Sequence, residues 1–125
     1  LFINMNDALR SYSTITAKIA IETKEGLISI YTNDIITIEA ISRKVIVHSI
    51  SGDFISVHNM NYWLKELPAQ NFFQTHRSFI VNFAHINEFN HELVYLHNNQ
   101  FTAYLTRRKY TSFKDAYLLY LESTR

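Results

Sequence analysis

With 125 residues, 47% of them hydrophobic and an aromatic set of nine Phe, eight Tyr and one Trp, the chain can close one core and bury roughly two thirds of the surface its unfolded form exposes, which excludes a disordered tail. It has no cysteine, so disulfides and thiolate metal sites are excluded, and no apolar run approaches the roughly 20 residues of a membrane-spanning helix, nor does a signal-peptide pattern open the chain. A formal charge of +1 says little about anionic partners, because polyanion binding depends on where the cations lie and not on their sum.

Residues 1–15, LFINMNDALRSYSTI, show no clean period and are expected to be a linker, with a short helical start at Asn6 to Arg10. Because the chain opens on Leu1 rather than Met, the expectation is a fragment whose upstream domain is missing. The folded domain is expected over 16–125. AKIAIET alternates through Ile19 and Ile21, turns at Lys24, Glu25 and Gly26 and returns as LISIYT, which reads as a hairpin that Asn33 and Asp34 end. IITIEAI (Ile35 to Ile41), KVIVHSI (Lys44 to Ile50) and DFISVHN (Asp53 to Asn59) read as three further strands. Ser42 and Arg43 sit in one turn between them, Ser51 and Gly52 in the other. In NMNYWLKELPAQ the period becomes helical: Met60, Trp63, Leu64 and Leu67 share a spacing, Asn59 can cap and Pro68 ends the run.

FFQTHRSFIVNFAHI, Phe72 to Ile86, interrupts two apolar runs with Gln74, Thr75, His76, Arg77 and Ser78. Phe72, Phe73, Phe79, Ile80 and Val81 are expected core anchors that fix the backbone on both sides, so that Arg77 loses less entropy in reaching a ligand than it would on a loose loop. Asn82 is expected to bond its own turn. INEFN, LVYLH and FTAYLT, separated by His91 and Glu92 and by Asn98 to Gln100, read as a three-strand meander. From Lys109 onward Phe113, Ala116, Tyr117, Tyr120 and Leu121 form a helical stripe that should pack on the sheet. The pattern is one antiparallel β domain with small helices.

Six histidines invite a metal, yet none has ligand spacing: His48 and His58 fall on separate strands, and His91 and His97 flank LVYLH with only Glu88 and Glu92 nearby. Ser78 follows His76 but lacks the glycines of a nucleophile elbow, and two glycines in the chain argue against a phosphate cradle of backbone amides. No catalytic residue, metal or cofactor is expected. The cations cluster at element ends, Arg43 with Lys44, His76 with Arg77, and Arg107 and Arg108 with Lys109. Strand ends are wet and cations belong there; alternatively the fold brings these ends together to meet duplex DNA, arginine bonding guanine and Ser, Thr or Lys the phosphates.

FFQTHRSFIVNFAHINEFN, with its spaced His-Arg-Ser, apolar pair and Val-Asn, LTRRKYTSFK near the end, and IITIEAISRKVIVHS upstream carry a resemblance. From about Ala17 to Tyr120 the chain resembles a LytTR-type DNA-binding domain, the output module of bacterial response regulators. The resemblance implies an all-β fold of mostly antiparallel strands in small stacked sheets, an elongated β-β-β sandwich, with a short helix in the middle and a C-terminal helix. It also implies DNA binding by inter-strand loops in successive major grooves, bending the duplex: Ser42, Arg43 and Lys44 from a first loop, His76, Arg77 and Ser78 from a second, Arg107, Arg108 and Lys109 from a third. Thr106 stands where the family usually has serine, and Lys109 where it has an aromatic, with Tyr110 one place later.

The function expected is sequence-specific binding of double-stranded DNA in the cytoplasm, as the output domain of a two-component transcriptional regulator, without enzymatic activity. Paired direct repeats, an upstream receiver or sensor domain, and a fragment monomeric alone that pairs on DNA complete the expectation. The alternative is a β domain for protein interaction, with LVYLH or another edge strand pairing with a partner. Hydrolysis centred on His76 and Ser78 would need an acidic partner and an oxyanion site that the sequence does not display.

Overall fold

The computed structural model describes residues 17–124; the expected linker over 1–15, with its helical start at Asn6 to Arg10, lies outside the described residues. Among the described residues, ten strands form three antiparallel sheets. Strands β1 (Lys18–Thr23) and β2 (Gly26–Tyr31) make a hairpin, with Lys24 and Glu25 at its turn. The central sheet has the order β5-β4-β3-β7-β6, built from β3 (Ile35–Ile41), β4 (Lys44–Ser49), β5 (Gly52–Ser56), β6 (Phe72–His76) and β7 (Phe79–Asn82). The third sheet has the order β10-β9-β8, from β8 (Ile86–Phe89), β9 (Leu93–Leu96) and β10 (Phe101–Tyr104). Helix α1 (Met60–Glu66) follows β5, and α2 (Tyr110–Ser123) ends the described chain.

The central sheet is the middle layer, with a separate core on each face. Alternation along β7 shows why: Phe79 and Val81 enter one core with Phe83, Leu96 and Phe113, under the third sheet and α2, while Ile80 enters the other with Ile21, Ile38 and Trp63, under the hairpin and α1. A register shift in β3 between Ile35 and Thr37 resets its alternation, so that Ile35 and Ile38 face the second core while Ile36 faces the first. This is the stacked, mostly antiparallel architecture expected from the sequence. Phe72, Phe79, Ile80 and Val81 are buried, and Phe73 packs against the first core.

Helix α1 starts where Asn59 accepts the amide of Tyr62 through its side chain at 2.9 Å. It buries Trp63, whose Nε1–H donates to Ser56 Oγ at 3.0 Å. The same hydroxyl accepts the amide of His58 at 3.0 Å, which turns the chain and ends β5 at Ser56, short of the expected Asn59. The connection from β4 to β5 is Ile50 and Ser51, one place earlier than the pattern implied. In α1 Leu64 is exposed, and in α2 Phe113 is buried and Ala116, Tyr117 and Tyr120 pack, whereas Leu121 is exposed. The helix stripe is thus narrower than its spacing suggested.

One alternative loses its named element. The protein-interaction reading expects LVYLH or another edge strand to pair with a partner; β9 lies in the middle of its sheet, its backbone bonded to β8 on one side and β10 on the other, so LVYLH has no free edge to offer.

Candidate nucleic-acid interface

Register places the first two turns. Along β3 and β7, Glu39 lies opposite Phe79, and the amide of Ala40 donates to the carbonyl of Ser78 at 2.9 Å. The β3–β4 turn at Ser42 and Arg43 and the β6–β7 turn at Arg77 and Ser78 therefore emerge side by side from one end of the central sheet. The third turn is tied to the same end through β6: the amide of Thr106 donates to the carbonyl of Thr75 at 2.9 Å, and Lys109 Nζ donates to the carbonyl of Gln74 at 3.0 Å. Arg107–Lys109 form a single 3-10 turn that leads into α2.

The first turn is a two-residue hairpin in which both central residues have positive φ, 51° at Ser42 and 65° at Arg43. That is the φ pattern of a type I′ turn, which strongly prefers Asn-Gly. Serine and arginine there carry backbone strain of the kind found at functional sites. Installing the preferred Asn-Gly pair, by Ser42→Asn together with Arg43→Gly, is expected to stabilise the fold by about 1 kcal/mol. For a domain of this size that is roughly 4 °C in Tm by thermal unfolding; an unchanged or lower Tm would mean that the turn is unstrained.

The second turn is held by its own histidine. His76 Nδ1 accepts the amide of Ser78 at 3.0 Å, which places the ring proton on Nε2, and the ring packs edge-on against Phe79 and Tyr104 at centroid distances of 6.1 and 5.8 Å. Burial, then the charges of Arg77 and Lys109, hold the His76 pKa below the usual imidazole range. Its charged neighbours are cations, the opposite of the carboxylate that orients a catalytic imidazole. A register shift between Gln74 and His76 bends β6 just before the turn.

Ser42, Arg43, Lys44, Arg77, Arg107 and Arg108 are exposed, and His76, Ser78 and Lys109 are half-buried. Lys109 differs most from the expectation of an outward cation: its ammonium is turned to Gln74, and burial, then Arg108, lower its pKa. Tyr110 supplies aromatic packing at this point, stacked on His91 at 4.0 Å. Among the described residues no carboxylate pairs with Arg43, Lys44, Arg77 or Arg108.

Two further turns reach this end of the sheet. The amide of Val57 donates to the carbonyl of Glu22 at 2.9 Å, which brings the β1–β2 turn across from the first turn; Lys24 on one side and Arg43 and Lys44 on the other rim a groove of about 720 Å³ floored by Val45 and Phe54. No local pattern marks Lys24, a single cation next to Glu25 whose position depends on how the hairpin docks. On the other flank the amide of Leu105 donates to the carbonyl of Glu92 at 2.8 Å, setting the β8–β9 turn beside Arg107.

Among known proteins, the family model described as the LytTr DNA-binding domain matches residues 25–117. Two curated relatives, each named sensory transduction protein LytT, from Bacillus anthracis and Bacillus cereus, are 30% identical over 71 residues, which is 57% of this chain and 29% of each relative. The match thus spans less than a third of those proteins. A solved LytTr DNA-binding domain from Bacillus cereus shares the fold, with a TM-score of 0.68 and 22% identity over 79% of this chain and 94% of that one.

Proposed function

Because the chain belongs to the LytTR family of DNA-binding domains, we propose that it reads duplex DNA through the row of turns at one end of its central sheet. DNA binding in transcription regulation is the task that this membership supports. The observation that carries the finer reading is the β3–β7 register, which sets the Ser42–Arg43 and Arg77–Ser78 turns side by side. An exposed arginine that pairs with no carboxylate among the described residues, on a turn whose flanks are core, is suited to the bidentate contact with guanine O6 and N7.

In this reading Arg77 and Arg108 face base edges in successive major grooves. Ser42, Arg43, Lys44 and Ser78 take phosphates, joined by Lys24 at the outer edge. His76 and Lys109 hold the second and third turns in position rather than reaching the duplex. The strain at Ser42 and Arg43 then has a use, since it presents a guanidinium where Gly would present nothing. The variant with Asn and Gly at those positions gains stability and loses affinity.

Two copies would sit side by side on paired direct repeats, the domain being monomeric when free and bending the duplex when bound. The longer curated relatives are sensory transduction proteins, which supports an upstream receiver or sensor domain as the source of regulation and of pairing, with the whole acting in the cytoplasm as a two-component transcriptional regulator. No chemistry on the substrate is required. Selection of bound fragments from a random duplex pool tests this: a half-site repeated in the same orientation should be enriched, with affinity that falls steeply with salt. A pool that stays random, with no salt-dependent affinity, would favour the protein-interaction reading instead.

A further inference from the structure

The third turn carries a cation that is already engaged. Glu92 lies in the β8–β9 turn, where Asn90 Oδ1 accepts the amides of both Glu92 and Leu93 at 2.9 Å, and its carbonyl accepts the amide of Leu105 at 2.8 Å. The backbone beneath the carboxylate is therefore fixed on both sides of the turn, next to the strand that leads into Arg107. From there Glu92 Oε1 reaches Arg107 Nη2 at 3.5 Å. Among the described residues it is the one carboxylate paired with a cation of the three turns.

The side chains of this pair are 81% and 72% exposed, Arg107 and Glu92 respectively, and an ion pair so solvated contributes little to folding. Its placement matters more than its strength. Well within a Debye length of about 8 Å, the carboxylate draws the Arg107 guanidinium towards the β8–β9 turn and away from an approaching phosphate. Arg43, Arg77 and Arg108 carry no such partner among the described residues.

We propose that Glu92 is a brake on DNA affinity: it holds Arg107 on the protein and keeps it from acting as a further phosphate contact. The inference rests on the DNA-binding reading and names a determinant of that site's sequence-independent affinity. A lower background affinity leaves discrimination to the arginines that face bases, since phosphate contacts carry no sequence information.

The experiment titrates Glu92→Gln, Arg107→Ala and the double variant with a selected duplex and a scrambled one across a salt series. Glu92→Gln should bind both duplexes roughly three- to tenfold tighter at low salt, with a salt slope steeper by about one phosphate contact, and the gain should vanish in the Arg107→Ala background. Circular dichroism and Tm, which a surface pair this exposed should leave unchanged, confirm that each variant is folded. Unchanged or weaker binding by Glu92→Gln, or a gain that persists without Arg107, would overturn the brake. A loss confined to the selected duplex would also overturn it, because that points to Glu92 accepting from a cytosine amine. If the unaltered chain shows no salt-dependent duplex affinity at all, it is the DNA-binding reading that fails.

Discussion

Replacing Arg77 with alanine is expected to remove about 1–3 kcal/mol of discrimination at a single base pair of the binding site, leaving preference elsewhere in the site intact. The side chain is exposed and its turn is anchored by Phe79, Ile80 and Val81 in the two cores and by the His76–Ser78 hydrogen bond. Truncation therefore deletes a donor without loosening the frame that aims it. Arg108→Ala should do the same at a different base pair. Lys44→Ala serves as the contrast: it should weaken all duplexes alike and lower the salt slope by roughly one. The measurement is a set of titrations against duplexes varied one position at a time. If Arg77→Ala instead shifts every duplex by the same factor, arginine at this turn is a phosphate contact and the base-reading role moves elsewhere.

Much of this frame can be read from the chain because strand alternation, turn residues and a Pro-terminated helix are local signals. The cation clusters were legible for the same reason. Their convergence was not, since it depends on Glu39 lying opposite Phe79, a pairing between residues that no local period connects. Lys24 was missed because its relation to Arg43 exists only once the hairpin docks on β5. The type I′ turn was hidden by its own residues, Ser-Arg in place of Asn-Gly. Lys109 looks like Arg108 in the sequence, and it is the bond to the carbonyl of Gln74 at 3.0 Å that sets its half-buried ammonium apart from the exposed guanidinium of Arg108. Leu121 satisfied a helical period but lies past the end of the face that Phe113, Tyr117 and Tyr120 press onto the core.

Asn82→Ala should produce the largest loss of stability, about 2–3 kcal/mol, because it leaves the buried carbonyl of Ile35 without its side-chain donor at roughly 1–3 kcal/mol and removes the cap of the exposed Ala84 amide at about 1 kcal/mol. Asn82 is wholly buried. Its Nδ2 donates to the carbonyl of Ile35 at 2.8 Å, and its Oδ1 accepts the amide of Ala84 at 2.9 Å. One side chain thus closes β7 against β3 and starts the 3-10 turn Phe83–His85 that carries the chain to the third sheet. Against a total of about 5–15 kcal/mol for a domain, this is a large fraction, to be read as a lower urea midpoint with an unchanged slope. Asn82→Asp should not rescue it: a carboxylate can still accept from Ala84, but it turns a second acceptor towards the carbonyl of Ile35 in a dry site. Asn82 closes the end of β7 opposite Arg77, so at temperatures where Asn82→Ala remains folded it should bind duplex DNA with the salt slope of the unaltered chain. A changed slope in that folded population would place Asn82 among the DNA contacts and remove it from the frame.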